Sequence, residues 1–136
     1  MSEVEQAPLF VYGTLLFGEV LDRVVGRRPD SRRAAAPGYA VRRVPGQSYP
    51  GMIADPRGVA GGLLLAGLSA LELRALDLYE GDEYRRTSIT VVDETGAVIE
   101  VETYLADEAG VSEETWTSSW FLEHHLDPFL ASLEQS

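Results

Sequence analysis

A chain of 136 residues, 45% hydrophobic and 24% charged, has the size and composition of one ordinary globular domain with its own core. Its net charge of −11, with all 11 basic residues arginine, argues against nucleic acid as a partner, since a phosphate backbone is bound by displacing counterions with positive charge. The absence of cysteine excludes disulfides, thiolate metal sites and a cysteine nucleophile, and it fits a cytoplasmic address.

In chain order, residues 1–8 read as a flexible N-terminus without the basic start and apolar centre of a secretory signal. Residues 9–12 are a short apolar run that predicts a strand ending at Gly13. Tyr12, Gly13, Thr14 and Leu15 then lead toward a helix over residues 19–25, with Gly26 past its end. Strand, glycine turn and helix leave backbone N–H groups pointing into one concavity, which binds carboxylates or phosphates without a cationic side chain. An ordinary glycine turn explains the same residues, and both readings stand at this point.

Residues 27–37 are basic, alanine-rich and bounded by prolines, and they read as a connecting loop or short helix. Extended pieces follow at residues 39–43, 49–54 and 59–66, punctuated by Pro45-Gly46, Pro50-Gly51 and Asp55-Pro56. Gly61-Gly62 within the last piece predicts a bulge or a close backbone approach. No apolar run is long enough to cross a bilayer, so no membrane partner is expected.

The strongest local signal lies in residues 68–86, LSALELRALDLYEGDEYRR. Ser69 and Glu72 form a capping box at a helix start, and Leu68 and Leu73 flank it as a hydrophobic staple. Leu71, Ala75 and Leu78 recur at helical spacing as the face to bury. Gly81 suits a left-handed residue after the helix. Glu80 therefore sits at the helix C-terminus, where exposed carbonyls disfavour a carboxylate and raise its pKa, as proton transfer near neutrality requires. A solvated helix-end residue beside Asp82 and Glu83 is the other reading. Asp77 with Glu80 is one arrangement open to a carboxylate-pair hydrolase, although an ion pair of Arg74 with Asp77 is simpler.

Residues 87–93 and 97–105 predict a hairpin turning at Glu94-Thr95-Gly96. Ile99, Val101, Thr103 and Leu105 alternate with Glu100, Glu102 and Tyr104, the pattern of a half-buried strand. Residues 107–114 form an acidic loop. Two helical pieces end the chain, one over residues 120–126 and one capped by Asp127 with Pro128 at its first position. Trp116, Trp120, Phe121 and Phe129 are expected to pack this tail on the sheet. His124 and His125 point about 100° apart on a helix and read as helix-end residues rather than metal ligands. No G-x-S-x-G supports a serine hydrolase.

Three motifs, FVYGTL at residues 10–15, YPGMI at 49–53 and LDLYEGDEYRR at 76–86 followed by a hairpin, resemble the gamma-glutamylcyclotransferase-like superfamily in order and approximate spacing. The resemblance spans residues 9–130. It implies an α+β fold over residues 1–136, a compact and mostly antiparallel β-barrel with short surrounding helices, and disfavours a doubly wound nucleotide-binding fold. It also implies that Tyr12, Gly13, Thr14 and Leu15 hold the α-carboxylate of a gamma-glutamyl group through backbone N–H donors. Glu80 becomes the acid–base residue, Tyr84 lines the pocket, and Arg86 completes a Y-x-R match with either a pocket or a structural role. The implied reaction releases 5-oxoproline and a free amine from a gamma-glutamyl amino acid or gamma-glutamylamine by intramolecular aminolysis. No cofactor or metal is expected, and the expected partner is that small-molecule substrate, bound by a monomer or homodimer. A non-catalytic binding or interaction module on the same fold is the alternative.

Overall fold

A strand buried on both faces needs an unbroken apolar run, and Leu9, Phe10 and Val11 supply one. They form β1 (Leu9–Val11), buried along its whole length. In this computed structural model residues 7–134 are described, so most of the expected flexible N-terminus, residues 1–6, lies outside the described residues. β1 pairs antiparallel with β3 (Pro50–Leu65) and parallel with β5 (Val98–Ala106). β3 pairs with β2 (Ser31–Arg43), β2 with β4 (Tyr84–Asp93), and β4 with β5, all antiparallel. The order β1-β3-β2-β4-β5 thus closes a barrel. This is the mostly antiparallel α+β barrel expected from the sequence, with one short parallel pair at its seam.

Among the described residues four α-helices flank the barrel: α1 (Gly18–Val24), α2 (Ala70–Glu80), α3 (Ser118–His124) and α4 (Leu126–Glu134). None among the described residues is long and apolar enough to cross a membrane. Phe10, Met52, Leu64, Ile89, Val91 and Val101 fill one cluster with the small residues Ala34, Ala36 and Ala60. A barrel of so few strands has a narrow interior, which small side chains accommodate. A Cβ on Gly62 would lie 2.2 Å from the Val11 carbonyl oxygen, so the expected close approach occurs there, and not at Gly61. A second cluster joins Leu9, Val11, Leu73, Leu76, Trp116 and Phe121, packing the helices against the barrel.

Several local expectations need correction. Part of residues 27–37, read as loop or short helix, opens β2 at Ser31. Its arginines alternate poorly, but Ala34 and Ala36 face inward and pairing with β3 decides the conformation. Nor does Asp55-Pro56 end a strand. β3 continues through it, and the register shift opposite Gly38 accommodates residues 55–58 as a bulge. The tail helices begin at Ser118, capped by Thr117, and at Leu126, so the first starts earlier than expected and Asp127 lies inside α4 instead of capping it.

The capping box forms as expected: Ser69 Oγ accepts from the Glu72 N–H, and Glu72 Oε1 accepts from the Ser69 N–H. Arg27 clamps the same Glu72 carboxylate through two nitrogens, at 2.6 and 2.8 Å, tying α2 to the segment before β2. The buried face of α2 differs from the expected one. Leu71 and Leu78 are 79% and 78% exposed, whereas Leu73 and Leu76 are buried. Both leucine rows satisfy helical spacing, and packing against the barrel decides which row is buried. Leu76→Ala is expected to destabilise the fold by about 2–5 kcal/mol, against less than about 0.5 kcal/mol for Leu78→Ala, in denaturant titrations. A larger loss for Leu78→Ala than for Leu76→Ala would show that α2 packs on its other face.

Candidate active site

Leu73, Leu76 and Glu80 are spaced so that they share one side of α2, and this side is the buried one. The packing that hides the leucines therefore carries Glu80 inward. Gly81 follows with φ +74° and ψ −165°, a conformation essentially confined to glycine and different from the left-handed helical one expected. It turns the chain through a 3₁₀ turn (Gly81–Glu83) into β4, so Tyr84 enters the barrel wall beside Glu80.

Glu80 lines a narrow cavity together with Tyr12, Gly13, Thr14, Leu15 and Tyr84. All six residues singled out from sequence for this site thus border one space. Tyr49, Pro50 and Tyr104 also border it. Tyr49 and Pro50 belong to the YPGMI motif, which carried no individual role in sequence. Tyr104 was assigned to the outward side of β5, and it is buried because α2 covers that side.

The Glu80 carboxyl accepts no hydrogen bond from the described residues, and burial, followed by the nearby Glu83 charge, pushes its pKa up to about 8. The direction matches the sequence reading, but the cause is corrected from helix-end carbonyls to desolvation. A carboxylate stripped of water without a compensating donor favours its neutral form. The phenols of Tyr12, Tyr79, Tyr84 and Tyr104 are pushed well above their ordinary pKa, again by burial first. Their protons are engaged: Tyr12 Oη donates to the Tyr104 carbonyl and Tyr84 Oη to the Pro50 carbonyl, each at 2.6 Å. Tyr104 Oη donates to Asp77 Oδ1 at 2.6 Å. Glu80 is consequently the cavity's group suited to exchanging a proton near neutrality.

Asp77 does not form a carboxylate pair with Glu80 in this cavity, nor the expected ion pair with Arg74. Arg86 Nε lies 3.0 Å from Asp77 Oδ1, and the same guanidinium donates to Glu102. Of the two roles left open for Arg86, this geometry is the structural one, locking α2 to β4 and β5.

The glycine turn after β1 is a 3₁₀ turn (Thr14–Leu16). The Leu16 and Phe17 N–H groups donate to the Gly13 and Thr14 carbonyls, and the preceding N–H groups of Gly13, Thr14 and Leu15 find no acceptor among the described residues. Free N–H groups at a helical turn suit an anionic oxygen. Gly13 has φ −124°, which any residue adopts, so its requirement is space: a Cβ would meet the Pro50 ring at 2.7 Å. Thr14 Oγ1 and Tyr79 Oη share a 2.6 Å hydrogen bond that ties this turn to α2. Among the described residues no group of His, Cys, Asp and Glu is placed to hold a metal ion.

Comparisons with known proteins agree with this architecture. A family described as "Gamma-glutamyl cyclotransferase, AIG2-like" matches residues 9–121. AIG2-like protein C of Arabidopsis thaliana is 31% identical over 131 residues, covering 93% of this chain and 76% of that protein. AIG2-like protein A of the same plant is 33% identical, over 71% of this chain and 59% of that protein. Among solved structures, one Arabidopsis thaliana protein superposes with a TM-score of 0.74 at 27% identity, covering 99% of this chain and 84% of that one. A gamma-glutamyl cyclotransferase superposes with a TM-score of 0.67 over 94% of this chain and 86% of its own, and at 14% identity that likeness concerns the fold.

The perturbed carboxyl has a consequence for stability. Glu80 ionises near 4.5 when unfolded and near 8 when folded, so the folded state holds the proton more tightly. Its contribution is fully present below pH 4.5 and is lost as pH rises through 8. Gln cannot ionise, so Glu80→Gln is expected to be more stable than the parent above pH 8, on the order of 1–3 kcal/mol, the gap closing toward pH 4.5. Denaturant titrations across this range check it, and a pH-independent difference would mean that Glu80 is not desolvated.

Proposed function

The chain belongs to the gamma-glutamyl cyclotransferase, AIG2-like family, and from that premise we propose that it is a cyclising enzyme releasing 5-oxoproline and a free amine from a gamma-glutamyl conjugate. One observation carries the reading: a desolvated Glu80 carboxyl shares a cavity with the N–H groups of Gly13, Thr14 and Leu15, none of them with a hydrogen-bond partner among the described residues. The N–H groups hold the substrate's α-carboxylate. The substrate's α-amine then lies toward Glu80, and the folded glutamyl chain brings its γ-carbonyl carbon within reach of that amine.

The reaction needs no enzyme nucleophile, because the substrate supplies its own. Glu80 carboxylate removes a proton from the α-ammonium, and the freed nitrogen attacks the γ-carbonyl carbon. A carbon–nitrogen bond closes the five-membered ring as the carbonyl π pair moves to oxygen. When that pair re-forms the carbonyl, the bond to the leaving nitrogen breaks, and protonated Glu80 returns its proton to that nitrogen. The regenerated carboxylate then takes the remaining extra proton from the ring nitrogen, and this second proton leaves with the amine as its ammonium. Atoms balance without water. Holding a flexible chain in its ring-closing conformation supplies much of the acceleration. A carboxyl with a pKa near 8 is matched to both proton transfers, whereas an ordinary carboxylate is too weak a base for an ammonium. Tyr12 and Tyr84 shape the cavity walls, their protons already given to backbone carbonyls.

Incubation with gamma-glutamyl conjugates is expected to yield 5-oxoproline by mass spectrometry, with kcat/KM rising as pH increases through about 8 as the carboxylate forms. Glu80→Gln is expected to lower kcat by about 10²-fold or more and to abolish that rising limb. Free glutamate as the product would indicate hydrolysis instead. Binding of conjugates without turnover would indicate a non-catalytic module.

A further inference from the structure

Beyond the glutamyl cavity lies a second depression, of about 180 Å³, bordered by Tyr49, Tyr79, Tyr84, Phe129, Glu80 and Glu83. The two spaces share Thr14, Tyr49, Glu80 and Tyr84. A substrate anchored by its α-carboxylate at residues 13–15, with its scissile bond beside Glu80, continues into this depression. Its composition is specific. Four aromatic rings form the walls, in two edge-to-face pairs, Tyr49 with Tyr84 and Tyr79 with Phe129, each 6.5 Å between centroids. Two carboxyl-bearing residues, Glu80 and Glu83, border it, and no arginine among the described residues does. Glu83 is exposed, and its carboxylate accepts from Tyr49 Oη at 3.1 and 3.2 Å, which fixes it at the rim. The inner carboxyl, Glu80, has no described hydrogen-bond donor.

Aromatic faces and carboxylates without a competing cation are what an organic ammonium group binds, through ring quadrupole and charge together. A carboxylate placed there meets Glu83 with nothing to neutralise it. The chain's net charge of −11 adds long-range attraction for cations.

We infer that this depression is an ammonium subsite, and that the favoured leaving group is a diamine or comparable amine bearing a second positive charge and no carboxylate. The inference rests on the cyclotransferase reading and deepens it: among gamma-glutamyl conjugates, those of aliphatic diamines are preferred over those of amino acids. The products are 5-oxoproline and the free diamine.

Three gamma-glutamyl conjugates of matched chain length test it, those of 1,4-diaminobutane, n-butylamine and 4-aminobutanoate, whose free ends are cationic, neutral and anionic. The kcat/KM for 5-oxoproline is expected to fall in that order, with the diamine favoured over butylamine by about tenfold. Glu83→Gln and, separately, Phe129→Ala are expected to shrink the diamine-to-butylamine ratio, and added salt is expected to shrink it too. Equal rates for diamine and butylamine, or a preference for aminobutanoate, would overturn the inference while leaving the reaction class intact. If none of the three yields 5-oxoproline, calorimetric binding of the same conjugates to the unmodified protein decides the matter. The same order of affinity supports the subsite and moves the failure to the catalytic reading. Equal affinities, or no binding, overturn the subsite itself.

Discussion

Closure of the barrel by β1 is the constraint from which the site's geometry follows. Three residues bridge β3 on one side and β5 on the other, and the seam with β5 is reinforced outside the ladder. The Glu102 N–H donates to the Pro8 carbonyl, Thr103 Oγ1 donates to the Phe10 carbonyl, and Tyr12 Oη donates to the Tyr104 carbonyl. The absence of a side chain at Gly62 lets β3 come close enough to complete the ring. A strand held so tightly delivers residues 12–15 to a fixed place at the barrel's end. From the other direction, β5 holds Tyr104, Tyr104 binds Asp77, and Arg86 binds Asp77 and Glu102, so α2 is fixed relative to the same seam. The loop and Glu80 face each other because both are referenced to β1 and β5.

What sits between them is held in a state unfavourable for folding. A desolvated carboxyl without donors among the described residues opposes stability at neutral pH, and the surrounding structure offsets it with the Arg27–Glu72 clamp, the capping box and the aromatic packing of Phe17, Trp116 and Phe121. The same desolvation makes Glu80 a stronger base than a surface carboxylate. Neighbouring phenols do not relieve it, since their protons are committed to carbonyls and to Asp77. Geometry of this kind couples function to a local stability deficit.

Much of the fold was legible in sequence where local chemistry decides conformation. The Ser69–Glu72 cap, the turn at Gly96, the strand ending near Gly13 and the alternation of Ile99, Val101 and Thr103 are signals of that kind. Where tertiary contacts decide, the sequence misled. Ser31 to Arg43 becomes a strand because β3 pairs with it, not because Arg32, Arg33 and Ala35 prefer one. Leu71, Ala75 and Leu78 read as a buried row as well as Leu73 and Leu76 do, and only the barrel's position distinguishes them. That one ambiguity hid the physical reason for Glu80's perturbation. On the exposed leucine row being buried, Glu80 points outward and only the helix terminus remains to tune it. On the row containing Leu73 and Leu76 it points into the cavity. The motifs around Tyr12 and Glu80 located the site, whereas the part played by Tyr49, Tyr79 and Phe129 emerges only from the three-dimensional arrangement.

The central claim is that Glu80 is a desolvated carboxyl whose proton is exchangeable near neutral pH. Carbon-13 labelling of the glutamate side chains, with Glu80 identified from the spectrum of Glu80→Gln, allows its carboxyl resonance to be followed against pH. A midpoint near 8 is the result this account predicts, and a midpoint near 4.5 would contradict it.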